Sequence, residues 1–202
     1  MQHKKKQLQN NILLGTGNQG KLKEFHYYIN HFQLFKNYTI LNLKDFNLSI
    51  EPNENGNDFD ENSKIKSIFY FQNLNLKTLS DDSGFIVNNF NNFPGIKTAR
   101  AGREMGGEQK VIDYIYTQLN KDIIEAIFYC SLSLVGEGPP VTVLGQVKGT
   151  ILPSPKGKNG FGYDPYFIPE NNTKTFAEMS SEEKMLCSHR YDAFKKLSNQ
   201  TL

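Results

Sequence analysis

Seven residues near the start of the chain, Gly15-Thr16-Gly17-Asn18-Gln19-Gly20-Lys21, combine glycines, a hydroxyl and a cation in a pattern that suits an anion. They follow a short apolar run, Asn11 to Leu14, and precede a stretch where Leu22, Phe25, Ile29 and Phe32 recur near helical period. The spacing therefore predicts strand, glycine loop and helix. At such a junction the free N–H groups and the positive end of the helix dipole attract phosphate. The segment fits both GxGxxG and GxxxxGK, each incompletely. A P-loop needs Ser or Thr after the lysine, where this chain has Leu22, and a dinucleotide fold needs an acid closing the second strand, for which Asp45 stands slightly late. A turn that merely starts a helix would explain the glycines but neither Thr16 nor Lys21.

The second group is Ser80-Asp81-Asp82-Ser83-Gly84, read as adjacent carboxylates at the end of a short strand. Neighbouring acids repel unless solvent screens them or a cation lies between them. Magnesium is the economical cation, because it takes one or two carboxylates and leaves its other positions to water and substrate phosphates. A second ligand could come from Glu51-Pro52-Asn53-Glu54, ahead of the next helix. A solvated turn with an Asx bond is the alternative for the acids alone. A third group, Phe161-Gly162-Tyr163-Asp164-Pro165 with Lys184, Ser188, His189 and Arg190, offers aromatic faces for stacking on a base and donors for a base carbonyl. Phe161 or Tyr163 could equally be core, and a His-Arg pair could equally be surface.

The elements that must position these groups alternate. A second strand is expected over Tyr38 to Leu43, then a helix from Asp58 to Phe71 with Phe59, Ile65, Ile68 and Phe69 as its apolar residues. Thr78 to Ser80 and Phe85 to Val87 read as two short strands, and Val111, Ile112, Ile115 and Leu119 mark a further helix. Ala126 to Val135 and Val141 to Val147, separated by Gly-Glu-Gly-Pro-Pro, form an expected antiparallel pair, so the sheet should be mixed. Pro153 to Gly162 is loop, Ser180 and Glu183 have capping-box spacing, and Ser188 is placed to cap a last helix that turns Ala193, Phe194 and Leu197 inward.

With 202 residues, 38% of them hydrophobic and 22% charged, the chain suits one folded domain with a real core. A formal net charge of +2 gives no broad field for duplex nucleic acid, and no apolar stretch has the length of a membrane helix. The start, Met1 to Lys6, is basic without the apolar stretch of a secretory signal, and residues 1–10 read as a polar tail before a domain over 11–202. Only Cys130 and Cys187 are present, which argues against a disulfide framework or a zinc site and fits a reducing, cytoplasmic setting. Cys130, inside an apolar run, reads as a small buried hydrophobe.

Taken in order, these segments resemble the inosine triphosphate pyrophosphatase family, the non-standard purine NTP pyrophosphatases. The resemblance runs through T-G-N-Q-G-K at Thr16 to Lys21, the E-N-G and F-x-E-N-S region at Glu54 to Ser63, S-D-D-S-G at Ser80 to Gly84 and P-G-I-K-T-A-R at Pro94 to Arg100. It continues through G-F-G-Y-D-P at Gly160 to Pro165 and F-A-E-M-S with E-K and S-H-R at Phe176 to Arg190, covering nearly the whole chain. It implies an elongated, two-lobed α/β fold around a long twisted mixed sheet with flanking helices and a central cleft, assembled as a homodimer. It also implies hydrolysis of ITP, dITP and XTP to monophosphate and pyrophosphate with Mg2+. By the same resemblance Thr16, Gly17, Asn18, Gln19, Gly20 and Lys21 would cradle phosphates. Asp82 would be general base and metal ligand, Glu54 the second ligand with Glu51 close enough to compete, and Ser83 a substrate contact. Phe161, Gly162, Tyr163, Asp164 and Lys184 would hold base and sugar-phosphate, and His189 with Arg190 would read the base.

Overall fold

The computed structural model describes residues 11–48, 50–136 and 138–201, so the expected tail over 1–10 lies outside the described residues. The chain is α/β, and its strands form a seven-stranded mixed sheet in the order β2-β1-β3-β5-β6-β7, with β4 paired to β3. The strands are β1 (Asn11–Leu14), β2 (Thr39–Asn42), β3 (Lys77–Val87), β4 (Phe93–Pro94), β5 (Ile124–Val135), β6 (Val141–Ile151) and β7 (Phe167–Pro169). The helices are α1 (Gln19–His31), α2 (Phe59–Leu74), α3 (Thr98–Met105), α4 (Glu108–Leu119), α5 (Ser181–Cys187) and α6 (His189–Thr201). β1 pairs in parallel with both β2 and β3, as connections through α1 and α2 require, whereas β4 and β7 pair antiparallel with β3 and β6. β5 and β6 are hydrogen-bonded neighbours joined by five residues, too few for a parallel crossover, so the expected antiparallel pair forms.

The described residues divide into two compact units: those from 11 to 82, 131 to 144 and 193 to 201 in one, those from 83 to 130 and 145 to 192 in the other. In the first unit Ile12, Leu13 and Leu14 of β1 are fully buried, and Phe25 and Tyr28 of α1 meet Phe194 of α6 with ring centroids 5.1 and 5.0 Å apart. In the second, Phe85, Ile112, Ile115, Phe128, Phe167 and Phe176 form the core. Cys130 is buried, as its apolar setting predicts.

Two expectations are corrected. The two short strands at 78–80 and 85–87 are one strand, β3, so the acids lie in mid-strand and not at a strand end. Glycine makes this continuity possible at residue 84, where an added Cβ would lie 2.4 Å from Thr98 Oγ1 and 2.7 Å from the Gly95 carbonyl oxygen. The inward stripe of α2 also differs from the apolar one. Ile65, Ile68 and Phe69 are only half-buried, and the buried residues are Phe59, Asn62, Ser63, Ser67 and Tyr70. The hydroxyls make this possible: Ser63 pairs with Ser131 at 2.9 Å and Ser67 with Ser133 at 2.7 Å, so small polar groups sit satisfied between helix and strand.

Candidate functional site

The glycine loop forms as read. Gly15 N–H donates to the Leu79 carbonyl at 2.8 Å, binding the loop to β3, and an added Cβ at Gly15 would lie 2.1 Å from Ser80 Oγ. Asn18 caps α1, its Oδ1 accepting from Lys21 N–H at 3.1 Å, and its own N–H donates to Thr16 Oγ1 at 3.3 Å. Thr16 is buried, whereas Gly17, Asn18 and Gln19 are exposed. The first turn of any helix lacks internal acceptors for its amides, so this exposed turn presents donors and a positive dipole end to an anion.

Consecutive strand residues point to opposite faces. The adjacent acids accordingly have different partners: Asp81 meets Lys21 of α1 in an ion pair of 2.9 Å, and Asp82 Oδ2 accepts from Asn62 Nδ2 of α2 at 3.2 Å. The cation expected beside the acids is thus, for Asp81, a lysine of the glycine loop. Glu54 pairs with Lys66 of α2 at 3.0 Å, and Lys66 Nζ also donates to the Asp81 carbonyl at 3.0 Å. Two lysines therefore face three carboxylates, leaving one negative charge in excess. Burial pushes the Asp82 carboxyl up from 3.8 to about 6, against the pull of Lys66 and Lys21 and with the help of Glu54 and Asp81. Burial lowers Lys66, but Asp81, Asp82 and Glu54 outweigh it and hold the ammonium above its usual range.

Sequence reasoning missed Asn62 and Lys66. A signal existed: Asn62, Lys66 and Tyr70 recur every four residues on α2, one helical stripe carrying an amide, a cation and a phenol where apolar side chains would normally sit.

The second unit holds the third group. Ser180 and Glu183 form the expected capping box at α5, and Ser188 accepts from Tyr191 N–H to start α6. His189 and Arg190 begin that helix and are only 2% and 3% exposed, so they are not a surface pair. His189 stacks on Phe128 at 4.9 Å, and Arg190 donates to Ser83 Oγ at 2.8 Å. Phe161 is half-buried, with Lys184 Nζ 4.7 Å and Arg190 Cζ 5.4 Å from its ring centre. Asp164, itself buried, accepts from Phe161 N–H and from Lys184 Nζ, both at 2.7 Å, and so fixes the ring and the ammonium together. Gly162 takes a left-handed φ of 58°. Tyr163 turns into the core, its ring 4.7 Å from Phe85 and its hydroxyl donating to the Thr98 carbonyl at 3.3 Å, so its part is to position its neighbours.

A protein of Bacillus anthracis named dITP/XTP pyrophosphatase is 38% identical over 195 residues, spanning 94% of this chain and 95% of that one. A protein of the same name from Bacillus subtilis is 36% identical over 190 residues, spanning 92% and 94%. Among solved structures, the Ham1 protein of Staphylococcus aureus superposes with a TM-score of 0.80 at 31% identity, and a HAM1 protein of Coxiella burnetii with 0.81 at 28%, each covering 94% of this chain and 97% of the other. The model of the Ham1 family matches residues 12–200, and the chain belongs to that family.

Proposed function

We propose that the protein hydrolyses non-standard purine nucleoside triphosphates, ITP, dITP and XTP, to monophosphate and pyrophosphate with Mg2+. The observation that carries this reading is Asp82, a carboxylate that burial raises to about 6 and that Asn62 holds by a hydrogen bond, on a strand bound to a helix-starting glycine loop. The names of the relatives support the substrate class.

The residues present fit a hard cation. Glu54 and Asp82 are oxygen donors, and a positive charge beside Asp82 would relieve the repulsion that Glu54 and Asp81 impose on it. Two carboxylates suit an ion that completes its shell with water and phosphate. When bound, the ion supplies charge neutralisation to the triphosphate oxygens. Ionised Asp82 orients a water and takes its proton as the water oxygen bonds to the α-phosphorus. The anhydride bond between the α-phosphorus and the departing pyrophosphate then breaks. Lys21 and the amides of the glycine loop stabilise the charge that develops on pyrophosphate.

Selectivity in this reading rests on Arg190 and His189, donors held rigidly by burial. Hypoxanthine and xanthine offer a 6-carbonyl acceptor, whereas adenine offers an amino donor that would leave a buried donor unpaired. Phe161 offers the stacking face and Lys184 the charge near sugar and phosphate. Clearing such nucleotides from the cytoplasmic pool, as a homodimer, completes the proposal, and light scattering checks the dimer. The deciding assay measures pyrophosphate release from ITP, dITP, XTP, ATP and GTP, with Mg2+ and with chelator. Turnover of ATP equal to that of ITP, or turnover undiminished by chelator, defeats the corresponding part.

A further inference from the structure

The geometry points to Asn62 as a positioning residue that locks the carboxylate of Asp82 and the acidic loop before α2 at one fixed spacing. This rests on the assignment of Asp82 as the reacting carboxylate. Asn62 is 2% exposed and its two polar atoms face in two directions. Nδ2 donates to Asp82 Oδ2 at 3.2 Å, and Oδ1 accepts from Gly56 N–H at 2.8 Å. Gly56 closes the loop that carries Glu54, and an added Cβ there would lie 2.7 Å from Glu61 Cβ and 2.8 Å from Asn62 Oδ1. The loop backbone thus lies directly on the helix, and the amide of Asn62 joins it to β3.

A clamp of this kind works only if the helix beneath it cannot slide. One residue further round α2, Ser63 and Ser67 are hydrogen-bonded to Ser131 and Ser133 of β5, and Ser131 Oγ also lies 3.3 Å from Asp60 Oδ1. All four serines are fully buried. Shifting α2 by one residue would break both hydroxyl pairs and leave the buried hydroxyls of Ser131 and Ser133 without these partners, so the pairs set the register of the helix. The same register brings Lys66, one turn beyond Asn62, to Glu54 and to the Asp81 carbonyl. Asn62 is the member of this set that bonds the side chain of Asp82 and, through the Gly56 amide, the backbone of the loop that carries Glu54. Replacing its donor should release Asp82 from its orientation without touching nucleotide binding, a loss in kcat rather than in KM.

The test compares Asn62→Asp, which keeps an acceptor for Gly56 but sets a second carboxylate against Asp82 in place of the donor, with Asn62→Leu, which loses both bonds and adds no charge. Asn62→Leu should lower kcat for ITP about 10- to 100-fold, the size of a lost hydrogen bond to a charged group, with KM within about twofold of wild type, and Asn62→Asp, which adds repulsion, should lower kcat at least as much. Hydrogen exchange at the Gly56 amide should stay slow in Asn62→Asp and quicken at least about tenfold in Asn62→Leu. A kcat for either variant within twofold of wild type, or a rise in KM in place of the fall in kcat, overturns the proposal. A wild-type enzyme inactive on ITP and XTP would instead defeat the functional reading. The exchange arm then judges the clamp by itself, and equal Gly56 exchange in Asn62→Leu and wild type overturns it.

Discussion

Replacing Asp82 by Asn should make the metal-free protein more stable while stopping its chemistry, and the gain should depend on pH in a way fixed by the site. Burial holds the folded carboxyl near 6 against 3.8 when exposed, a difference of about 3 kcal/mol at about 1.36 kcal/mol per pH unit. The folded value lies above the unfolded one, so between about pH 4 and 6 the native state keeps a proton that the unfolded chain releases. Stability therefore falls as pH rises through that window, and the full cost is present above about pH 6. Asn fixes the neutral state. Its advantage over wild type in chelator should be about 1 kcal/mol at pH 4.5 and about 3 kcal/mol at pH 7.5. The groups that set these values are Lys66 and Lys21 on one side and Glu54 and Asp81 on the other, all unchanged by the substitution. Denaturant melts at the two pH values measure the difference through the midpoint, provided the slope is unchanged. Turnover should fall by about 10²- to 10⁴-fold, the range of a lost general base. A stability difference that is the same at pH 4.5 and 7.5, or an Asn variant less stable than wild type at pH 7.5, would show that Asp82 is not held against its charge.

Three further outcomes follow from the same geometry. The acid limb of kcat/KM should fall below about pH 6, the metal-free value of Asp82, because Asp82 must be ionised to take a proton and a bound cation lowers it further; an acid limb that bends above pH 7 would remove it as the base. Arg190→Ala should reduce the preference for ITP over ATP by about 10-fold or more, through loss of a buried donor, and an unchanged ratio in paired assays would refute its role. Asp164→Ala should cost about 3–5 kcal/mol in a denaturant melt, since it strips a buried lysine of its carboxylate partner, and a cost below about 1 kcal/mol would mean that the pair holds nothing.

What the sequence revealed and what it hid divide along one physical line. The glycine loop, the capping box at Ser180 and the cap at Ser188 are local devices whose geometry follows from residues three or four apart, and all three formed as read. The alternation of strand and helix was legible for the same reason. Partners far apart in the chain were not. Periodicity chose Ile65, Ile68 and Phe69 as the inward face of α2, and the hydroxyls of Ser131 and Ser133, more than sixty residues away, selected the polar stripe instead. The break read at the acids was a misjudged strand, because polar residues in a central strand look like a turn until their buried partners are known. The surface alternative for His189 and Arg190 stayed open for the same reason, and Phe128 and Ser83 supply the burial and the hydrogen bond that close it.

The two adjacent aspartates show how one dipeptide can encode two opposed electrostatic tasks. Strand geometry sends their side chains to opposite faces, so a single pair of residues can meet a cation on one side and an amide on the other. Asp81 spends its charge on Lys21, and Glu54 shares Lys66. Both lysines are thereby held close to Asp82 without being neutralised by it, since the short contact that Asp82 itself makes is with the neutral amide of Asn62. If Asp82 took either lysine as its direct partner, its carboxyl would be pulled down against the effect of burial and it would be a poorer proton acceptor near neutrality. Raised by burial and kept at one remove from both lysines, its carboxyl lies at about 6 before a metal binds, ionised at neutral pH yet basic enough to take a proton, and it retains an oxygen face suited to a divalent ion. The arrangement therefore depends as much on where Lys21 and Lys66 are tied down as on Asp82. Asp81 and Asn62, which need not touch a substrate, are the residues through which the strand and the helix enforce it.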